Sequence, residues 1–357
     1  MHFALTEEQT ELAKAVKGLV ERRAGQTDLA AAIASDAGYD TALWGDLVEQ
    51  IGVAALAIPE EFGGAGFTSF ETHVVLEQLG ASLCPSPLLG SGVLAAQALL
   101  LAADESTKER LLGEIAAGTV AALAWADSQG RFSVTGAPVR LVDGTLSGAS
   151  SLVLEGTDAE ILLAVADVDG TPTLVEVAGD AAGLTRTATP AMDQTFRFAD
   201  VTFEGTPATV LGALDLAKLQ AIAKTAVTAL QVGGAQQVLD NTVAYLKERE
   251  QFERLLGSFQ ALKHRAADML VKVEVARSMS WAAGWAASTD QPDLVEKAAL
   301  ASSWCTEAFE MVAGESIQLF GGIAITWEHD AHLYFKRSLA CAQLFGRAHE
   351  VRAAVLA

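Results

Sequence analysis

Leu12, Val16, Leu19 and Val20 recur at helical spacing just after a Thr6 and Gln9 pair, the pattern of a capping box that opens an amphipathic helix. Helical patterning then dominates to about Gly118. Within it, "IGVAALAIPEEFGGAGF" reads as a buried helix end running into a Pro/Gly-rich turn, and "SFETHVVLEQLGASLCPSPLLG" as a helix stopped by Pro85 and Pro87. From Thr119 to about Val210 the texture changes to short β-rich runs separated by turn pairs: "TVAALAWA", "RFSVTG", "PVRLVDG", "SSLVLEG", "AEILLAVADVDG", "TPTLVEVAG" and "TFRFADVTFEG". Their spacing, roughly 8 to 12 residues, predicts a small sandwich or barrel. From Leu214 helical periodicity returns, with Leu239, Val243 and Leu246 on one face of a helix that runs into "YLKEREQFERLLGSFQALKHRAADM". The expected fold is mainly α with an inserted β domain. Residues 1–118 form an N-terminal helical domain, 119–212 the β domain and 213–357 a C-terminal helical bundle.

Composition narrows the partners. The 357 residues are 51% apolar, ample for a sizeable core, and carry a formal charge of −21. That charge repels nucleic acid and anionic membranes, so a polyanionic ligand needs a local basic or amide-lined site. Cys84, Cys305 and Cys341 are widely spaced and odd in number, which suggests neither a disulfide framework nor a zinc site. The N-terminus carries acids where a signal peptide would be apolar, and no run approaches the roughly 18 apolar residues of a membrane span. The expected location is cytoplasmic.

Candidate chemistry concentrates around two segments. Arg249 offers a bidentate fork to a pyrophosphate, Gln251 and Gln260 supply neutral donors and acceptors, Phe252 covers a ring, and Gly321-Gly322 lets backbone amides come close. Taken singly, each also reads as a solvated helix end or a helix C-cap. His329 and His332, with Glu328 and Asp330, have a spacing that could grip a divalent metal, but no third ligand is suggested and a polar turn before a helix is the better reading. "FGGAGF" lacks the GK[ST] ending of a phosphate loop and reads as a turn between helices. His73 and His264 lie on regular helical stretches and read as packed or capping residues.

Five segments, in order along the chain, resemble the acyl-CoA dehydrogenase family: "FALTEEQTEL", "AIPEEFGGAGFTSFETHVVLEQLG", "DQTFRFADVTFEG", "REQFERLLGSFQALKHRAADM" and "QLFGGIAITWEHDAHLYFKR". The resemblance implies a flavoprotein that oxidises an acyl-CoA thioester to the 2,3-enoyl-CoA. A glutamate takes the α-proton and the β-hydrogen leaves as hydride to flavin N5. In such enzymes FAD lies between the β domain and the C-terminal helices, with its adenosine diphosphate end held by the neighbouring subunit. Arg249, Gln251, Phe252, Gln260, Gln318, Gly321 and Gly322 match the positions that reach across to the neighbour's FAD.

The departures from the family are equally specific. Where members carry Thr-Glu-Pro against the flavin, this chain has Ala124, Trp125 and Ala126. Where they carry an aromatic residue and, two positions on, a Ser or Thr, it has Leu152 and Leu154, which cannot make those hydrogen bonds. The two family positions for the catalytic glutamate hold Ala223 and Phe345, so no catalytic residue is expected; Asp215 and Glu350 are the nearest acidic candidates for a relocated base.

The chain is therefore similar to the degenerate subunits of heteromeric acyl-CoA dehydrogenases, such as those that shorten steroid side chains. The likeness implies an α2β2 tetramer with a second family subunit, acyl-CoA substrate, FAD shared between unlike chains, and an electron-transfer flavoprotein or similar acceptor. Two alternatives stay open: a self-sufficient homotetrameric dehydrogenase with an unrecognised base, and a non-enzymatic assembly or acyl-CoA-binding module.

Overall fold

The computed structural model describes residues 4–24 and 29–356; Phe3, the first residue of "FALTEEQTEL", lies outside them. The Thr6 and Gln9 pair closes its capping box, with Gln9 N–H donating to Thr6 Oγ1 at 3.2 Å and Thr6 N–H to Gln9 Oε1 at 3.0 Å. This starts α1 (Glu7–Ala24), whose Val16, Leu19 and Val20 are buried. Short helices α2 (Leu29–Ala34) and α3 (Thr41–Asp46) follow, then α4 (Ser69–Ala81), opened by a second capping box between Thr68 and Glu71. α4 stops ahead of Pro85 and Pro87, and a π-helical turn, Leu89–Ala95, leads into α5 (Ala96–Ala102) and α6 (Glu105–Ala116).

Eight strands make one mixed sheet. They are β1 (Ala121–Ala124), β2 (Val139–Val142), β3 (Thr145–Leu154), β4 (Ile161–Val168), β5 (Thr171–Val177), β6 (Leu184–Thr189), β7 (Phe198–Pro207) and β8 (Thr209–Ala213). The order is β6-β7-β3-β2-β4-β5-β8, with β1 pairing parallel to β4. On β4, Ile161, Leu163 and Val165 join the helical core, while Leu162, Ala164 and Ala166 join Val201 and Phe203 of β7 in a separate core inside the β domain. The two-residue period of the strand thus feeds two cores at once.

Three details of the β domain differ from the sequence reading. "RFSVTG" is a loop, not a strand: Ser133 Oγ accepts from the backbone N–H of Thr135 and of Gly136, an ST turn that competes with sheet pairing. β6 and β8 escape the pattern because they are the two ends of the sheet path, paired on one side only and carrying few buried side chains.

Asp215 caps α7 (Leu216–Glu248), and a tight hairpin, β9 (Glu250–Gln251) and β10 (Arg254–Leu255), separates it from α8 (Gln260–Ser288). α9 (Leu294–Phe320), α10 (Ala331–Cys341) and α11 (Ala348–Leu356) complete the chain. The stretch Leu294–Ile325 is long and apolar enough to cross a membrane, contrary to the sequence reading, but Ala298, Ala301, Phe309 and Val312 of α9 are buried within the fold. α4 and α7 cross in close contact: a Cβ at Gly233 would lie 1.8 Å from Glu77 O and one at Gly80 2.3 Å from Leu230 O, so the crossing requires glycine on both helices.

The β domain is fastened to α10 through "DQTF". Arg337 Nε donates to Asp193 Oδ2 at 2.9 Å and to Thr195 Oγ1 at 2.7 Å, and the guanidinium lies 3.7 Å from the Phe196 ring centroid. All three polar side chains are buried.

Candidate functional site

The residues singled out by sequence fall in two places, an interior cleft and an exposed end of the helical bundle.

The cleft lies where the segment after β1, the turn after α10 and the first half of α7 meet. Trp125, Ala223 and Phe345 belong to one continuous core, and all are fully buried. The Phe345 ring stands 5.7 Å from Trp125 and 4.5 Å from Phe132, while Trp125 and Phe132 meet edge to face at 5.5 Å. The "RFSVTG" loop is pinned through two consecutive carbonyls: Gln220 Nε2 of α7 donates to Phe132 O at 3.0 Å, and the Trp125 indole N–H donates to Ser133 O at 3.1 Å. Three aromatic side chains therefore fill the volume between the β domain and α7.

The backbone acceptors beside them are also used up. Ser150 Oγ donates to Ala126 O and Ser151 Oγ to Asp127 O, each at 2.7 Å. Leu154 is buried and Leu152 half-buried at a φ of 52°. Phe132, Ser150 and Ser151 were not singled out in the sequence; the hydroxyl pair in "GASSLVLEG" was the one available signal, since buried serines next to strand ends usually bond backbone carbonyls.

Neither acidic candidate reaches this cleft as a base. Asp215 is exposed and its carboxylate accepts the N–H of Lys218, and Glu350 is exposed with its carboxylate accepting the N–H of Arg347. Asp215 is the N-cap of α7, and Glu350, in the first turn of α11, reaches back to the N–H ahead of that helix, both places where an acidic side chain is stabilised. Lys224, beside Ala223, instead faces an open groove of about 830 Å³ lined by Gln220, Asp293 and Glu296, and partial burial pulls its ammonium pKa down.

The second place is the end of the bundle where α7 and α9 terminate. Arg249 is the C-cap of α7, and its carbonyl accepts the Leu256 N–H at 2.8 Å, closing the β9–β10 hairpin. Phe252 and Glu253 form the two-residue turn at φ values of 55° and 63°, the geometry of a type I′ turn. It holds Phe252 out into solvent, 83% exposed, edge-on to Phe259 at 6.3 Å. Gln251 and Gln260 are exposed beside it, Gln260 as the first residue of α8.

Gln318 and Gly321 are brought to the same end. Tyr245, one turn before Arg249, packs its ring 4.5 Å from Phe320, next to Gly321. Arg265 near the start of α8 pairs with Glu315 near the end of α9 at 2.5 Å, which sets Gln260 and Gln318 at the same level of the bundle. Gly321 has a φ of 70°, and nothing lies within 4 Å of a Cβ built on it or on Gly322. Exposed Ile323, Ile325 and Trp327 extend the surface. The arrangement combines the exposed Arg249, exposed amides and an uncrowded glycine backbone beside apolar area, a set suited to a nucleotide-like anion.

The histidine pair does not converge. His329 packs 4.2 Å from Phe320 and accepts the Ala331 N–H, while His332 meets Trp327 edge-on at 4.8 Å. Cys84 and Cys341 are buried, and burial pushes both thiols up to about 12.

Two helical domains flanking a mixed sheet define the acyl-CoA dehydrogenase fold, and the chain belongs to the acyl-CoA dehydrogenase family. The family's N-terminal domain matches residues 6–119 and its C-terminal domain residues 219–357. Among curated relatives, "Acyl-CoA dehydrogenase IpdE2" of Mycolicibacterium smegmatis is 40% identical, covering 97% of each chain. Among solved structures, a variant of the Tcur3481-Tcur3483 steroid ACAD is 30% identical with a TM-score of 0.89, covering 98% of this chain and 96% of that one. The ChsE4-ChsE5 complex from Mycobacterium tuberculosis is 26% identical with a TM-score of 0.90, covering 99% and 98%.

Proposed function

We propose that this chain is the non-catalytic subunit of an FAD-dependent, heteromeric acyl-CoA dehydrogenase and completes the FAD site of a partner subunit. The observation that carries the reading is the mutual packing of Trp125, Phe132 and Phe345, in the core that also holds Ala223. A flavin ring needs an open slot with polar contacts, and these side chains together with Leu152 and Leu154 offer neither, so the chain's own cleft does not fit the cofactor. No side chain at the two base positions can take a proton.

The exposed end of the bundle fits the opposite role. Arg249 would bind a pyrophosphate of the partner's FAD, Gln251, Gln260 and Gln318 would hold its polar edges, Phe252 would cover its adenine, and the Gly321-Gly322 backbone would lie against it. FAD, when bound, supplies the hydride acceptor for conversion of acyl-CoA to the 2,3-enoyl-CoA, and the partner supplies the base. The steroid ACAD and ChsE4-ChsE5 likenesses favour a pair of unlike family subunits, assembled as α2β2, acting in fatty-acid or steroid side-chain β-oxidation. The reduced pair would pass its electrons to an electron-transfer flavoprotein or a similar acceptor. On this reading the domains are 1–118, 119–212 and 213–357, and the enzyme works in the cytoplasm.

Arg249→Ala in the co-expressed pair tests the proposal. Loss of a charge-assisted bidentate contact weakens FAD binding about tenfold or more. A purified pair that keeps its full flavin-to-protein ratio after dialysis would remove Arg249 from the site.

A further inference from the structure

α4, the Leu89–Ala95 turn, α7 and α8 line a small cavity of about 20 Å³. That is room for roughly one water molecule. Its wall includes Ser69 and His73, and both carry a shielded polar atom without a partner, Ser69 Oγ and His73 Nδ1. The His73 side chain is buried, with only 2% of the residue exposed. The two residues are four apart on α4, so their side chains are neighbours on one face of the helix, about 5–6 Å between Cβ atoms.

The surrounding hydroxyls fix which nitrogen of His73 carries the proton. Thr228 Oγ1 donates its one hydrogen to Thr225 O at 2.6 Å. Its bond with Ser280 Oγ, at 2.8 Å, therefore has Ser280 as donor. Ser280 has then no hydrogen left for His73 Nε2, 3.0 Å away, and must accept from it. His73 is consequently the Nε2–H tautomer, and Nδ1 is a bare lone pair. Burial holds its pKa down at about 4, so the ring is neutral at pH 7. A buried acceptor in this position calls for a donor.

We propose that the cavity is an internal hydration site, in which one water donates to His73 Nδ1 and bridges to Ser69 Oγ. The water is the head of a directed chain that runs through His73, Ser280 and Thr228 to the Thr225 carbonyl. It joins α4 to α8 and α7, as the Glu77–Arg277–Gln236 contacts also do.

Neutron diffraction from crystals of the full chain exchanged into D₂O reads both parts directly. The expected result is a deuteron on Nε2, none on Nδ1, and a D₂O within hydrogen-bond distance of both Nδ1 and Ser69 Oγ. A deuteron on Nδ1, a cavity without a water, or an apolar additive in its place would overturn the proposal. Crystals of Ser69→Ala should keep the Nε2 deuteron and lose occupancy at the water; unchanged occupancy would show that Ser69 does not hold it.

Discussion

Placing a carboxylate at the family's second base position, by Phe345→Glu, separates a filled cleft from a concealed active site. Phe345 is 1% exposed and stands within 5.7 Å of two other aromatic rings. Removing a buried phenylalanine costs about 3–5 kcal/mol, and each lost aromatic pair adds about 0.5–1.5 kcal/mol. The new carboxyl would be buried among apolar side chains, so its pKa in the folded protein is raised above the unfolded value. The folded state then binds more protons than the unfolded state, and stability falls as pH rises from the unfolded carboxyl pKa through the folded one. Urea unfolding at fixed protein concentration should show the variant less stable than wild type by about 3 kcal/mol or more at pH 5, and by a larger margin at pH 8. It should turn over no acyl-CoA with an electron acceptor, because Trp125 and Phe132 still occupy the slot. A variant as stable at pH 8 as at pH 5 that gains flavin-dependent turnover would refute the reasoning.

Other perturbations follow the same physics. Arg337→Ala leaves Asp193 buried without its partner and should cost about 3–5 kcal/mol by urea midpoint; a loss under 1 kcal/mol would mean that the β domain is not fastened there. The His73 pKa is depressed to about 4, so stability from keeping the ring neutral is complete above about pH 6.5 and lost as pH falls through 4. The shift corresponds to about 3 kcal/mol. His73→Gln should flatten that acid limb, and a limb that persists would assign it to other groups. Glu253 sits at a φ of 63°, where glycine is unstrained, so Glu253→Gly should raise stability by up to about 1 kcal/mol, seen as a higher urea midpoint; a lower midpoint would argue against strain in the hairpin.

Much of this was legible in the residues because local rules and the tertiary structure agree. The Thr6 and Gln9 box, the prolines after α4 and the apolar run of β4 all follow from short-range chemistry. The strands at the two sheet edges were not, since an edge is held by backbone pairing that leaves no apolar stripe. Phe132 was hidden for a different reason: read as part of a strand, it lies on a loop held by Gln220, which is 88 residues away in the chain. The loss of a base at Ala223 and Phe345 was plain from residue type, whereas the filling of the cleft depends on contacts between three distant segments. The convergence of Arg249 with Gly321 was implied by family likeness alone until the Tyr245–Phe320 packing joined the two helix ends.

On the proposed reading, this chain holds flavin only as part of a pair. A direct test is the visible absorption spectrum of the chain purified alone, then co-expressed with a second acyl-CoA dehydrogenase-family subunit. The account predicts a colourless chain alone and absorbance at about 450 nm, where oxidised flavin absorbs, at one FAD per two unlike chains in the pair. A yellow protein on its own, at one flavin per chain, would contradict it.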